Sequence, residues 1–252
     1  MIRALMARLR QGHKTVDFPN QIPNISDRFA GLPKVDCTKC DSNCRVCMAV
    51  CPTDAIAKIG TAIQIDLGRC IFCRNCEKAC RRQAITFTTD YRLAVRKKED
   101  LLLGPHELKL AEALGEKMKK LFGRSLKLRQ VSAGGCGACE ADTNVLSTLV
   151  FDLGRFGIQF VASPRHADGL LITGPVSDNM KLALQKTYDA VADPKLTIAV
   201  GACALSGGIY RDHPEVHNGA DAVIPIDLYI PGCPPHPLTI LDGLLRLLDK
   251  LK

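Results

Sequence analysis

Thirteen cysteines in 252 residues, nine of them between Cys37 and Cys80, constrain this chain more than any other feature. Small secreted folds use cysteine as a disulfide staple because they cannot bury enough surface, whereas a chain of this length can. An odd count would also leave one thiol over. Hydrophobic residues make up 46% of the chain, with 20 glycines and 14 prolines, which excludes disordered and collagen-like classes. Metal or redox chemistry is the leading explanation for the thiols.

The densest run is Cys70-x2-Cys73-x2-Cys76-x3-Cys80. At this spacing three sulfurs wrap one face of a 4Fe-4S cubane, while the fourth, expected to begin a helix, reaches a neighbouring cluster. A zinc site prefers two C-x2-C pairs separated by a longer spacer. The upstream run is Cys37-x2-Cys40-x3-Cys44-x2-Cys47-x3-Cys51-Pro52, in which Asp41 stands where the first ligand is expected. One residue has been inserted, and Cys40 is the nearest replacement. The spacing therefore assigns one cluster to Cys40, Cys44, Cys47 and Cys80, and a second to Cys70, Cys73, Cys76 and Cys51. Cys37 is left over, and an exchange of roles between Cys37 and Cys40 stays open. An internal repeat accompanies the runs: Cys51-Pro52-Thr53-Asp54-Ala55-Ile56 parallels Cys80-Arg81-Arg82-Gln83-Ala84-Ile85. Arg81 and Arg82 are either electrostatic partners of a reduced cluster or plain surface.

Charge divides the chain at the same place as cysteine density. Residues 1–130 hold 25 Lys+Arg against 13 Asp+Glu, a net of +12, and residues 131–252 hold 9 against 13, a net of -4. Two domains are expected, 1–96 and 126–252, joined by a helical connector over 97–125. In that connector Leu108, Leu110, Ala111, Leu114, Met118, Leu121 and Phe122 recur near a 3.6-residue period. The basic first half could suggest nucleic acid, but aromatics are 5%, Trp is absent and no reader motif occurs. A helix is expected over residues 1–10, with Ile2, Leu5, Met6 and Leu9 interleaved with Arg3, Arg8 and Arg10. Three readings of it stand: docking on its own domain or a partner, contact with a membrane surface, or a transit peptide. No apolar run approaches the roughly 18 residues of a membrane span, and no secretory signal is seen, so a cytoplasmic location is expected.

The second half alternates strand and helix. Apolar, β-branched runs at 126–131, 158–162, 169–173, 197–200 and 222–226 read as buried strands. Helices are expected over 141–151, 178–191 and 237–251. Strands separated by helices imply a parallel, doubly wound sheet that carries its site beyond the strands' carboxyl ends. No glycine-rich nucleotide fingerprint follows the first strand. The last four cysteines, Cys136, Cys139, Cys203 and Cys233, all fall in loops after strands and can converge there. Glycines flank each of them and would let backbone N–H groups approach a bulky cofactor. Taken alone, these four leave a third cluster, zinc and buried thiols all open.

The motifs also carry a family resemblance over nearly the whole chain. Residues 16–102 contain Leu67-Gly68-Arg69-Cys70-Ile71-Phe72-Cys73, Tyr91-Arg92-Leu93-Ala94-Val95 and Lys97-Lys98-Glu99-Asp100-Leu101, and resemble the ferredoxin-like subunit of formate hydrogenlyase. Residues 121–245 resemble the hydrogenase small subunit, related to the complex I subunit that carries the terminal cluster. That match rests on Gly135-Cys136-Gly137-Ala138-Cys139-Glu140, Ser163-Pro164-Arg165-His166-Ala167-Asp168, Gly201-Ala202-Cys203-Ala204-Leu205-Ser206-Gly207-Gly208 and Tyr229-Ile230-Pro231-Gly232-Cys233-Pro234-Pro235. The chain looks like a fusion of two adjacent subunits of a membrane-bound, energy-converting nickel-iron hydrogenase. The fold so implied is α/β: a two-cluster ferredoxin-like α+β domain followed by a flavodoxin-like doubly wound domain.

The resemblance implies three 4Fe-4S clusters, the third held by Cys136, Cys139, Cys203 and Cys233. Complex I relatives carry two adjacent cysteines at the first of these positions and hydrogenases carry C-x2-C, so a hydrogenase is favoured here. The implied partners are a nickel-iron large subunit, an electron-donor module of formate dehydrogenase or ferredoxin type, and membrane-embedded ion-translocating subunits. The chain would be peripheral on the cytoplasmic face of the inner membrane. Glu140 is the candidate for a proton path, with capping of the following helix as the alternative. Arg165, His166 and His236 are expected to pack rather than ligate. Two rival functions remain: a related complex without nickel-iron that reduces a quinone or sulfur compound, and a zinc-dependent nucleic-acid binder. Three oxidised cubanes with their thiolates would bring the formal +8 to roughly +2.

Overall fold

A computed structural model describes residues 2–12, 14–21, 23–41, 43–60, 62–104, 108–123 and 125–251. Residues 105–107 and 124 of the expected connector lie outside the described residues.

The chain opens with α1 (Ile2–Gln11), formed where the spacing predicts it. None of its residues is buried, and Ile2, Leu5, Met6 and Leu9 all face solvent, so it does not dock on its own domain as one reading expected. The following segment packs on the α/β unit: Val16 N–H donates to Val150 O (2.8 Å), and Arg155 donates to Val16 O and Phe18 O.

The cysteine-rich region is a pair of repeats. It contains β1 (Pro33–Val35), α2 (Val46–Ala49), β2 (Ile56–Ile59), β3 (Ala62–Asp66), α3 (Asn75–Ala79) and β4 (Ile85–Phe87). β1 pairs antiparallel with β4, and β2 with β3, the latter joined by β5 (Leu102–Leu103). In both pairs a ladder ends on an aspartate whose N–H donates to an alanine carbonyl at 2.8 Å, Asp36 to Ala84 and Asp66 to Ala55. Each aspartate then closes a turn by accepting from the residue two positions on, Thr38 (3.1 Å) and Gly68 (2.8 Å). Asp54 and Gln83 occupy matching left-handed positions at φ 49° and 50°. Cys80 caps the C-terminus of α3 instead of beginning a helix as expected, because the helix starts earlier, around Cys76.

The second unit contains α4 (Glu116–Phe122), β6 (Leu126–Ser132), α5 (Ala138–Val145), β7 (Ile158–Phe160), β8 (Gly169–Thr173), α6 (Asp178–Asp189), β9 (Leu196–Val200), α7 (Ala202–Ser206), β10 (Leu228–Ile230) and α8 (Pro237–Leu247). The five strands form one parallel sheet in the order β10-β9-β8-β6-β7. β8 and β9 are buried along their full length, as a parallel sheet covered on both faces requires. One face receives α8, whose Leu238, Leu241, Leu244, Leu245 and Leu248 are buried, each worth about 1.5–3 kcal/mol. The other face shares its core with the cysteine-rich repeats through Ile65, Leu67, Leu93 and Leu101.

Three expectations need correction. The strand expected at 222–226 is a 3-10 turn, Ala220–Ala222, followed by the true strand at Leu228–Ile230. Pro225 has no N–H for a ladder, and its carbonyl accepts from the Thr197 hydroxyl instead (2.6 Å). The helix expected over 141–151 begins at Ala138, which puts Cys139 and Glu140 inside its first turn. Among the described residues of the connector, a short 3-10 helix covers Lys98–Leu101 and α-helix only Glu116–Phe122. Its earlier apolar residues dock in extended form: Ala111 N–H donates to Ala94 O (2.7 Å) and Leu114 N–H to Leu247 O (2.9 Å). Gly104 and Gly115 bracket this stretch and weaken a continuous helix.

The two units are stitched together. Val95 and Tyr229 exchange backbone hydrogen bonds of 3.0 and 2.9 Å along the β10 edge, and the Arg96 guanidinium donates to Asp227 O (2.7 Å). Ser206 Oγ at the end of α7 donates to Gly68 O (2.8 Å), two residues before Cys70.

Candidate iron-sulfur sites

The repeats gather eight cysteines into two sites that exchange one cysteine each. Cys40, Cys44, Cys47 and Cys80 line a cavity of about 410 Å³, which we call site A. Cys51, Cys70, Cys73 and Cys76 line a much tighter recess of about 20 Å³, site B. Cys51 thus leaves the run in which it lies to join site B, and Cys80 does the reverse. The period-2 geometry of strands provides both floors. Ile56 and Ile65 are cross-strand partners beneath site B, and two residues along the same face Lys58 opposes Ile63, which lines site A. β4 repeats the device, with Ile85 at site A and Phe87 at site B.

The repeat also sets Cys40 apart from Cys37. Counted from the matching aspartates, Cys40 follows Asp36 as Cys70 follows Asp66, and Cys37 corresponds to the fully buried Leu67. Cys37 lines a separate recess with Lys34, Lys39, Gln83 and Thr86, not the site A cavity. Backbone N–H groups point at the sulfurs in matching places: Ala55 N–H to Cys51 Sγ and Ala84 N–H to Cys80 Sγ, both 3.3 Å, and Phe72 N–H to Cys70 Sγ, 3.4 Å. Such donors favour the more negative state of a ligated cluster.

Volume and lining differ between the two, although each has one exposed cysteine, Cys44 and Cys73. Site A opens onto Lys39, Arg81 and Arg82, with Lys39 paired to Asp36 (3.2 Å) and Arg82 to Asp41 (3.4 Å). Site B is walled by Ile56, Ile65, Ile71 and Phe87. Burial pushes the Cys70 thiol up to about 12 and Cys76 up to about 11, with neighbouring cysteines adding to the shift. At site A burial also raises Cys47, reinforced by Cys40 and Cys44.

The third set, site C, lies at the carboxyl edge of the parallel sheet. Cys136 and Cys139 follow β6, Cys203 follows β9 and Cys233 follows β10. Gly201 N–H donates to Ile230 O (2.9 Å) and Ala202 N–H to Gly232 O (2.8 Å), which aligns the last two loops. Gly201 has φ +90°, and a Cβ there would stand 2.4 Å from Cys139 Sγ; at Gly208 it would stand 2.9 Å from Cys203 Sγ. Only glycine leaves room for these sulfurs. Burial raises the Cys139 thiol, with Cys203, Glu140, Cys233 and Cys136 adding to it, and lifts Cys203 to about 11 with help from Cys233 and Cys136. Cys233 is raised by burial, by Cys136 and by Cys73 of site B, which brings sites B and C into electrostatic reach of each other.

Glu140 is held by two hydroxyls, Ser132 Oγ (2.5 Å) and Thr173 Oγ1 (2.6 Å). Burial works to raise its carboxyl, but these donors outweigh it and hold the group below the ordinary range. It ties α5 to β6 and β8, and its own backbone N–H in the first turn of α5 also favours the carboxylate. His236 accepts from Leu238 N–H (3.1 Å) as the cap of α8 and packs edge-on against Phe29, while Arg165 and His166 are exposed. Lys58, an isolated lysine in the sequence, was missed by reasoning from ligands; its Nζ donates to Asp41 O (2.7 Å).

Four-thiol sets suit an iron-sulfur cubane better than a single ion. Among the described residues, no three His, Cys, Asp or Glu side chains are gathered closely enough to hold one metal ion. A zinc ion would draw its sulfurs to about 2.3 Å from a common centre, whereas a cubane takes one thiolate at each of four irons.

Comparison with known proteins fits this geometry. Residues 136–247 match the family described as NADH ubiquinone oxidoreductase, 20 Kd subunit, and residues 63–86 match a 4Fe-4S binding domain. The probable membrane-bound hydrogenase subunit mbhJ of Pyrococcus furiosus is 40% identical over 52% of this chain and 79% of that protein. Formate hydrogenlyase subunit 7 of Escherichia coli is 43% identical over 53% of this chain and 52% of that protein. An NADH-quinone oxidoreductase subunit of Bacteroides fragilis is 41% identical over 52% of this chain and 67% of that protein. A chain from the membrane-bound sulfane sulfur reductase (MBS), an archaeal respiratory membrane complex, aligns with a TM-score of 0.47 and 35% identity, over 54% of this chain and 75% of that one. With a parallel sheet carrying Cys136, Cys139, Cys203 and Cys233 at one edge, this chain belongs to the family of the NADH ubiquinone oxidoreductase 20 Kd subunit, and joins to it a 4Fe-4S binding domain.

Proposed function

We propose that the chain is the electron-relay subunit of a membrane-associated nickel-iron hydrogenase, fusing a two-cluster ferredoxin-like unit to a hydrogenase small-subunit unit. In this reading Cys40, Cys44, Cys47 and Cys80 hold one 4Fe-4S cluster, Cys51, Cys70, Cys73 and Cys76 a second, and Cys136, Cys139, Cys203 and Cys233 a third. Clusters of this kind, when bound, supply one-electron steps.

The observation that carries the reading is the adjacency of the sites. Cys51 and Cys80 cross between sites A and B, and the Ser206 Oγ to Gly68 O hydrogen bond (2.8 Å) ties the helix that carries Cys203 of site C to the loop that leads into Cys70 of site B. The solvent-open site A is the entry from a formate dehydrogenase or ferredoxin-type donor. The isoleucine and phenylalanine walls of site B give the middle of the path a more apolar surrounding than site A has. The loops around site C face a large subunit that holds nickel-iron, and the C-x2-C spacing of Cys136 and Cys139 favours that partner over a quinone-reducing one. Membrane attachment is assigned to ion-translocating subunits on the cytoplasmic face of the inner membrane; among the described residues no helix is long and apolar enough to cross a membrane.

The test is composition and spectroscopy of the full chain. About twelve irons per chain and three reducible cubane signals are expected. A colourless, zinc-loaded preparation refutes the reading. Within the complex, Glu140 is assigned a role in proton movement near the active site: Glu140→Gln slows hydrogen formation with iron content unchanged, and undiminished turnover removes that role.

A further inference from the structure

The repeat that relates sites A and B is broken at one wall position. Matching the ladders through Ile56 and Ile85 makes Lys58 of β2 the counterpart of Phe87 of β4. Phe87 gives site B an aromatic wall. At the equivalent place beside site A, a half-buried lysine extends its ammonium into the cysteine loop. Lys58 Nζ donates to Asp41 O at 2.7 Å and to Cys44 O at 3.5 Å, and lies 3.8 Å from Cys40 Sγ.

These acceptors bracket the one place where the two cysteine runs differ in length. Cys40-x3-Cys44 has one residue more than Cys70-x2-Cys73. Asp41 is the pivot of this loop: its carbonyl also accepts from Cys44 N–H (3.2 Å) and its Oδ1 from Asn43 N–H (3.0 Å). An ammonium carries three donors and no acceptor, which suits a convergent set of carbonyls, and charge-assisted bonds are the stronger kind.

We propose that Lys58 is the positioning residue of site A: it clamps the expanded 40–44 loop so that Cys40 presents its sulfur to the cavity in place of Cys37, and it sets a positive charge beside that sulfur. The proposal rests on the iron-sulfur reading above. One-electron reduction adds negative charge to a ligated cluster, so a fixed cation at 3.8 Å favours the reduced form. Other charges at the opening are Lys39, Arg81, Arg82, Asp36 and Asp41, of which Lys39 and Arg82 are paired to the two aspartates. Lys58 differs from them in donating to the loop backbone itself. Site A is thereby tuned separately from site B, where Phe87 takes the matching position and the one cation in the lining, Arg74, is paired to Glu77 (2.5 Å).

The experiment uses the full chain loaded with iron and sulfide, with iron counted and each centre titrated by EPR. Lys58→Gln keeps an amide donor for the carbonyls and removes the charge. It is expected to retain about twelve irons while the reduction equilibrium of one centre falls about tenfold, which is about 59 mV for a one-electron couple. Lys58→Met removes both functions and is expected to lose the site A centre, or to hold it with altered ligation that a further Cys37→Ser change abolishes. Lys58→Arg restores the wild-type potential. Unchanged iron content and unchanged potentials in both Lys58→Gln and Lys58→Met overturn the proposal. A wild-type chain with no reducible centre at site A overturns the relay reading and this proposal together, so the two failures are distinguishable.

Discussion

Sites B and C enclose four thiols by opposite routes, and the contrast shows what each costs. Site B is assembled by short loops in which Cys70, Cys73 and Cys76 are near neighbours in sequence, so most of its geometry is local. Site C draws Cys136, Cys139, Cys203 and Cys233 from three strand ends, held in place by the sheet and by hydrogen bonds between the loops that follow its strands. Site B accordingly depends on spacing and a repeated turn. Site C depends on close backbone approach, at Gly201 above all, where a methyl group has no room.

The largest effect that can break this comparison comes from removing a ligand. Cys51→Ser is expected to remove the site B centre and leave site A, although Cys51 lies in the upstream run; Cys203→Ser is expected to remove site C alone. Each should cost about four of twelve irons, read by iron analysis and by which EPR signal disappears. Loss of the site A signal in Cys51→Ser would break the crossing.

Next in size is the glycine contrast. Gly201 and Gly60 both have positive φ, +90° and +62°, but a Cβ at Gly60 meets nothing within 4 Å. Gly60→Ala should cost only the backbone penalty of about 1–2 kcal/mol and keep all centres. Gly201→Ala should cost more and lose site C. Iron content with chemical unfolding measures both, and equal behaviour of the two variants would remove the close-approach argument.

A smaller effect concerns alkali. The raised thiols of Cys70, Cys76 and Cys203 favour the neutral form in the fold, so their contribution is complete below the ordinary thiol value of 9.0. It is lost as pH climbs through about 11 to about 12. The iron-free chain should therefore lose stability above pH 9.0 while the loaded chain, whose thiolates are already deprotonated by metal, changes little. Parallel pH profiles for the two forms would contradict that assignment. The smallest effect is Cys37→Ser, for which iron content and potentials should match wild type; loss of one centre would return the first ligand of site A to Cys37.

Much of this was legible in advance because it is written in short-range spacing. The cysteine runs, the grouping of Cys80 with the upstream recess and Cys51 with the downstream one, and the parallel sheet all follow from periodicities of a few residues. What was missed depended on tertiary partners. The last strand lies at Leu228–Ile230 and not at 222–226, because Pro225 disqualifies the earlier run and Tyr229 pairs with Val95 from the other unit. The extended course of residues 108–115 is invisible to a helical period, since Ala111 and Leu114 take their backbone partners from Ala94 and Leu247.

Cysteine spacing and strand order, read along the chain, were enough to show how many thiols there are, which of them group around each of the first two recesses and that the last four follow strand ends, because each is a property of short stretches of chain. The folded arrangement was needed to show that Cys40 and not Cys37 lines site A, that the Lys58 ammonium reaches the Asp41 carbonyl, and that Ser206 after Cys203 bonds to Gly68 before Cys70. Each of these is a meeting of residues whose separation along the chain carries no information about their separation in space; the ladders and the Ser206 to Gly68 hydrogen bond set it.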